Sequence, residues 1–258
     1  MPRPLARLAA ALPVLSLLLV AAPAAAQEQE PAPSLLYEAY FRINFADLPE
    51  WTRQFDTYSV PILREMQSEG LIEGWGHWQH NTGGEYDVRL ALRLYDWDDI
   101  DTFWNEYLAG MAEAVPADEQ AATSHMIEAH YDEVWNIGTV NVQQGAATPY
   151  MYASTFQVNF GDVEAWDGFW QENVLPVLQD AMDAGVLAGV VTLNHNTGLP
   201  HNKKVLYMFE EWDDMDDMWN MFFERMETEH GEAFAESLSL VQAHDDIIWA
   251  APPPSGNQ

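Results

Sequence analysis

Two short patterns carry the residue types of proton-transfer chemistry. His130-x-Asp132 and His244-x-Asp246 each set an imidazole two residues from a carboxylate. On a β-strand alternate side chains share a face, so each Asp can orient its His and raise its basicity, as a general base or a metal ligand requires. The spacing equally fits a hydrogen-bonded structural pair at a strand entrance. A second set is basic. Arg42, Arg89, Arg93 and Lys204 fall in one strand phase with Tyr40 and His77. Guanidinium matches carboxylate or phosphate through parallel hydrogen bonds, so these residues read as an anion clamp, with His130 or His77 as the base. Pairing with Glu38, Asp87, Asp132 and Asp246 is the competing reading, because a buried guanidinium cannot be left alone. A third pattern is His-Asn-Thr-Gly, at 80–83 and again at 195–198. Asn-Thr-Gly is turn chemistry and leaves only His80 and His195 to explain. They are expected at the mouth of a cleft between sheet and helices. No metal site is expected. The acid run from Trp212 to Asp217 lacks the Gly and Glu of a calcium loop, and no His-x-x-x-His pair is present.

Charge narrows the partners. The chain has 41 Asp plus Glu against 10 Lys plus Arg, a formal net charge of −31. Nucleic acid and anionic membrane surfaces demand the opposite sign. With no cysteine there is no disulfide, thiolate nucleophile or iron–sulfur cluster. An apolar fraction of 48% suffices for a packed core. Arg3 and Arg7, the apolar run Leu8 to Val20, and Ala24-Ala25-Ala26 read as a signal peptide over 1–26. The mature protein is thus expected to be periplasmic or extracellular, with no membrane partner after cleavage. Its acid-rich surface, with Lys203 and Lys204 the only lysines, suggests a saline habitat.

The elements that must position these residues come from a repeat. Residues 37–115 match 152–230: Tyr37, Phe41, Asn44, Phe45 and Trp51 recur as Tyr152, Phe156, Asn159, Phe160 and Trp166. Trp97-Asp98-Asp99 recurs as Trp212-Asp213-Asp214, and His130, Asp132 and Trp135 as His244, Asp246 and Trp249. Each unit reads β-α-β-β-α-β, the ferredoxin-like split βαβ order. The expected boundaries are repeat one at 35–140, a linker at 141–149, repeat two at 150–251, and a disordered tail at 252–258. Asp47 and Asp98 are expected to cap helices, and the helix through Trp51, Phe55, Tyr58, Ile62 and Met66 to bend at Pro61. Strand four is expected near His130–Ile137. Helices cover one sheet face, so the bare faces of the two units should clasp each other. Alternation assigns Tyr40, Arg42, His77, Gln79, Arg89, Arg93, His130 and Asp132 to that interior. From unit two it adds Thr192, Asn194, Lys204, His244 and Asp246. Trp135 and Ile137 are assigned to the helices.

The pattern Tyr37…Phe45, Leu48-Pro49-Glu50-Trp51, Val60-Pro61-Ile62-Leu63, Gly70…Gly74-Trp75 and Tyr95…Trp97 resembles the dimeric α/β-barrel superfamily. Its NIPSNAP-like and antibiotic-biosynthesis-monooxygenase-like families are the nearest in pattern. The resemblance implies an α+β fold, two ferredoxin-like repeats forming an intrachain dimeric α/β barrel, monomeric as a pseudo-dimer. It further implies cofactor-independent oxygenase or isomerase chemistry on a small aromatic or anionic ligand, with no cofactor. Two alternatives stay open: a non-catalytic binding or stress-related protein with a filled barrel, and haem binding through His80 or His195.

Overall fold

The computed structural model describes residues 34–252 apart from Leu199. The signal-peptide reading of 1–26 lies outside those residues, as does the tail reading beyond Pro252. Strand β1 (Leu35–Ile43) leads into a 3-10 turn at Phe45–Asp47, where the Asn44 side chain accepts from the Ala46 N–H at 3.0 Å. Helix α1 (Leu48–Gln54) follows with Pro49 in its first turn, where a missing N–H costs nothing. A π-helical turn, Phe55–Ser59, separates it from α2 (Val60–Ser68). This widened turn, one residue ahead of Pro61, replaces the expected bend. Then come β2 (Gly74–Thr82), β3 (Val88–Leu94), α3 (Asp98–Ala114), α4 (Ala117–Met126) and β4 (Ile127–Val142). Asp98 is the first residue of α3 rather than its cap. Asp96 accepts the Asp98 N–H at 2.9 Å instead.

The second half runs through the same order. It comprises β5 (Tyr150–Val158), α5 (Val163–Phe169), a π turn at Trp170–Val174 and α6 (Leu175–Asp183). After these come β6 (Gly189–Thr197), β7 (Lys203–Phe209), α7 (Asp214–Ser237) and β8 (Val241–Ala250).

The eight strands close into a barrel in the order β1-β3-β2-β8-β5-β7-β6-β4. Each half contributes a split-βαβ sheet, and the halves join edge to edge through β2–β8 and β4–β6. Strand β4 is longer than expected. Its residues 138–142, the end of repeat one and the start of the linker, pair with or bulge against β6, and the turn proper begins at Gln143. Every neighbouring pair is antiparallel, so β1, β2, β5 and β6 all end at one rim. That rim carries the turn at Gly83, whose φ is +80° and whose added Cβ would lie 2.3 Å from the Asp246 carbonyl oxygen.

Two kinds of core result. Outside the barrel, Leu63, Met66, Leu92 and Phe103 in the first half, and Leu178, Phe209, Met218 and Met226 in the second, pack helices on strands. Inside, Leu36, Tyr40, Trp135, Met151, Leu193, Leu206 and Trp249 form a separate cluster. This fixes the strand phases and corrects four of them. In β2, Trp78 points inward and His77 outward. In β4, Tyr131, Glu133 and Trp135 point inward, and His130 and Asp132 outward. In β8, Trp249 points inward, and His244 and Asp246 outward. Thr192 and Asn194 likewise face the helices. The physical reason is that a barrel interior is itself a core needing large side chains. Gly76 opens the space for one of them: a Cβ there would lie 1.9 Å from the Trp78 ring.

Candidate functional site

An ion-paired network crosses the lumen, and beside it a cavity of about 350 Å³ opens at one mouth, lined by Tyr40, Tyr86, Tyr131, Glu133, Lys204 and Trp249 among others. Glu38 is fully buried and accepts from Arg89 Nε at 2.9 Å and Lys204 Nζ at 2.6 Å. Lys204 also donates to Glu133 Oε2 at 2.5 Å and to the Tyr40 hydroxyl at 3.0 Å, which uses all three of its N–H groups. Glu133 takes further hydrogen bonds from Trp135 Nε1 at 2.9 Å and Tyr131 at 2.8 Å. Arg89 lies 4.9 Å over the Trp78 ring and Lys204 4.3 Å over Trp135. Two cations and two carboxylates balance. Burial alone would push the Glu38 carboxyl up, but the charges of Arg89 and Lys204 hold it well below the usual carboxylate range.

Internal pairing therefore accounts for Arg89, Lys204 and Tyr40. Of the expected acid partners Glu38 takes part, and Glu133 replaces Asp132 because the β4 phase is inverted. Arg42 and Arg93 do not join them. Arg42 sits at one rim on Glu85 at 2.5 Å, and Arg93 at the other on Glu73 at 2.5 Å. The three arginines thus form no clamp. His80 and His195 also lie on the lumen side, edge-on to Trp249 and Trp135, and not at a cleft between sheet and helices.

Two larger, more apolar spaces lie outside the barrel, under the helices, one in each half. The first has a volume of about 410 Å³ and is lined by Phe41, Trp51, Phe55, His77, Trp104 and His130 among others. The second, of about 480 Å³, is lined by Phe156, Trp166, Trp170, Trp219, Phe222 and His244. Each π turn sits in its cavity wall through Phe55 or Trp170.

His130 lines the first cavity, with Asp132 beside it, and His244 and Asp246 both line the second. His130 stacks on Phe41 with ring centroids 4.7 Å apart, and His244 on Phe156 at 4.5 Å. His130 Nε2 lies 2.9 Å from Asp132 Oδ1, and His244 Nε2 lies 2.9 Å from Asp246 Oδ1. With Nε2–H directed at the carboxylate, Nδ1 carries the lone pair of the neutral ring. Behind each Asp stands a tyrosine missed by sequence reasoning. Burial and the Asp132 hydrogen bond raise the Tyr37 phenol, and burial and the Asp246 charge raise Tyr152. In the second half Ser154 also donates to Asp246 at 2.7 Å. Burial pushes the Asp246 carboxyl up, yet the hydrogen bonds from His244, Ser154 and Tyr152 outweigh it and hold it below the ordinary range. Tyr37 and Tyr152 were visible in the repeat alignment, but their phenolic partners depend on the β4 and β8 phase.

His77 has a different role. It stacks on Phe55 at 3.9 Å, and its Nε2 accepts from Trp51 Nε1 at 3.4 Å. Burial lowers its pKa from 6.5 to about 4. The unfolded chain binds a proton on this ring below about pH 6.5, while the folded protein does not until about pH 4. The neutral ring's contribution is therefore complete above pH 6.5 and is lost as the pH falls toward 4, amounting to about 3 kcal/mol. Thermal unfolding across pH 4–7 should show this slope, and His77→Thr should flatten it.

No family model matches the chain, and no curated protein does. Solved structures match in fold. A monooxygenase-like protein of Fusobacterium nucleatum superposes with a TM-score of 0.58 at 7% identity, over 85% of this chain and 93% of that one. An anthrone oxidase-like protein gives 0.53 at 10% identity, over 87% and 94%. A chlorite dismutase-like protein gives 0.53 at 10% identity, over 85% and 95%. Among the described residues no cluster of three or more His, Asp or Glu side chains could hold a metal ion. No helix there is long and apolar enough to cross a membrane. The chain shares with these neighbours an α+β fold, a closed antiparallel eight-stranded barrel with helices packed outside it, and all eight strands come from one polypeptide.

Proposed function

We propose that this protein binds planar aromatic small molecules in its two helix-side cavities and that the His–Asp pairs take a proton from the bound molecule. The observation that carries the reading is the recurrence of one arrangement in both halves: an aromatic-walled cavity, a π turn, and a histidine with its Nε2 on an aspartate. Aromatic walls with a few convergent polar groups are the usual make-up of small-molecule sites. The Asp holds the ring and stabilises the imidazolium that forms, and Nδ1 is the accepting atom. Proton removal from an aromatic carbon or oxygen acid is the first step of both isomerisation and cofactor-independent oxygenation. For an anthrone, the substrate class suggested by one neighbour's name, the balance is anthrone plus O₂ giving anthraquinone plus water. The substrate supplies the electrons. The matching halves are read as copies of one ancestral unit, exported together.

Haem belongs to the same fold-level expectations, through the resemblance and the chlorite dismutase-like neighbour. The residues present fit it poorly. Neither Arg nor Lys lines either helix-side cavity to meet propionates, and His80 and His195 line neither cavity. A binding protein without turnover is the second reading. Arg89 and Lys204, both held in internal ion pairs, favour it over an enzyme that would use them as an anion clamp in the lumen.

The test is titration with 2-naphthol, read by tryptophan fluorescence and by melting temperature. Two equivalents per chain should bind and quench the tryptophans lining the cavities. At a hundredfold excess over Kd the stabilisation should reach about 2.7 kcal/mol for each occupied site, or about 5 kcal/mol for two. A folded protein that neither quenches nor shifts with naphthol or related aromatics contradicts the proposal.

A further inference from the structure

The two halves differ where they should most resemble each other. Beside the second aromatic cavity lies another of about 340 Å³, between α5, the second π turn and strands β6 and β7. It shares Trp166 and Trp170 with the aromatic cavity and adds Asp167, Thr192, Asn194 and Lys203. Lys203 is buried. Its Nζ donates to Asp167 Oδ1 at 2.5 Å and Asn194 Oδ1 at 2.6 Å, which leaves one N–H without an acceptor. Trp170 is 7% exposed, and its Nε1–H is buried with no hydrogen-bond partner. An indole N–H is a donor only, and leaving one buried and unmatched is costly. Asp167 Oδ1 and Asn194 Oδ1 both serve Lys203, and neither is bonded to the Trp170 N–H. Unmatched donor hydrogens on Lys203 and Trp170 thus remain at one cavity.

In the first half the corresponding strand, helix and turn positions hold Val88, Phe55, Thr52 and His77 in place of Lys203, Trp170, Asp167 and Thr192. There the equivalent of Trp166, Trp51, spends its N–H on His77. The second half has thus gained a cation and an indole donor at one place, in a chain with only two lysines and a net charge of −31. A lysine held in a buried wall by an aspartate whose side chain is half exposed is poised for exchange. Asp167 can swing into water while an incoming acceptor takes its position.

We infer that this cavity is a binding site for the carboxylate of a small organic acid, held by Lys203 Nζ and Trp170 Nε1, with Asp167 as its internal competitor. The site adjoins the second aromatic cavity, sharing Trp166 and Trp170 with it, but does not depend on the His–Asp pairs. The first half supplies variants that the fold already tolerates, Lys203→Val and Trp170→Phe.

The experiment is isothermal titration of the full chain with sodium benzoate at constant ionic strength, with benzyl alcohol as the uncharged control. Apart from any binding in the two aromatic cavities, which benzyl alcohol shares, one further saturable benzoate site per chain is expected that benzyl alcohol does not compete for. Lys203→Val should weaken benzoate at least tenfold and Trp170→Phe severalfold. Asp167→Asn should tighten it severalfold, because the competing charge is gone. Should Lys203→Val not fold, Trp170→Phe and Asp167→Asn, which pull in opposite directions, still decide the matter. Absence from folded protein of a saturable benzoate site insensitive to benzyl alcohol overturns the inference. Equal affinity in Lys203→Val, or no gain in Asp167→Asn, overturns it too. Neutral 2-naphthol, titrated in parallel, reports the aromatic cavities separately, so the two proposals fail independently.

Discussion

Glu38→Gln should destabilise the protein by about 3–5 kcal/mol, because it breaks a buried ion pair and leaves Arg89 without its anion. For a domain of this size that lowers the melting temperature by roughly 10 °C. The carboxylate at position 38 is the only acid contacting both Arg89 and Lys204 among the described ion pairs. Glutamine keeps the shape but cannot neutralise either cation. Replacing Glu38 and Arg89 together by methionine should cost far less than the single change, since an apolar pair of similar volume removes both buried charges at once. Equilibrium urea unfolding of the three proteins measures this. Equal losses in single and double variants would contradict the network. The same pair sets an acid limit. The Glu38 carboxyl is depressed in the fold from 4.5, so its contribution is full above that pH and declines as the pH falls below it. That window lies below the one assigned to His77.

The second large effect concerns chemistry. Replacing both His130 and His244 by phenylalanine keeps the stacks on Phe41 and Phe156 but removes both proton acceptors. If the pairs act as general bases, turnover of an anthrone followed by quinone absorbance should fall by about 10²–10⁴-fold. Affinity for 2-naphthol should change little, because the aromatic walls are untouched. Asp246→Asn should lower turnover less than loss of the histidine, by removing the group that orients the ring and stabilises its charged form. Undiminished turnover in the double histidine variant would remove the His–Asp pairs from the mechanism.

The fold was legible because it rests on patterns longer than any single misjudged strand. Matching tryptophans, hairpin turns and helix starts gave the element order and the closed arrangement, and Tyr40, Arg89 and Lys204 were correctly sent inward. The site was less legible for one physical reason. In a strand buried on both faces, hydrophobicity does not say which face is which. Trp135 looked like helix-facing core, and that choice turned His130 and Asp132 inward and hid Glu133. The structure shows the opposite, since the lumen has room for indoles, with Gly76 clearing space for Trp78. The π turns left no periodicity signal beyond Pro61 and Pro176. The donors at Lys203 and Trp170 become conspicuous only against the first half's Val88 and Phe55.

The account places ligand under the helices and charge inside the barrel. A crystal structure of the protein soaked with 2-naphthol tests this directly. Ring density against Phe41 and His130 in one half and Phe156 and His244 in the other, with Glu38, Arg89, Lys204 and Glu133 still joined, is the predicted result. Naphthol seated in the lumen among Tyr40, Glu133 and Lys204, with that network opened, would contradict it.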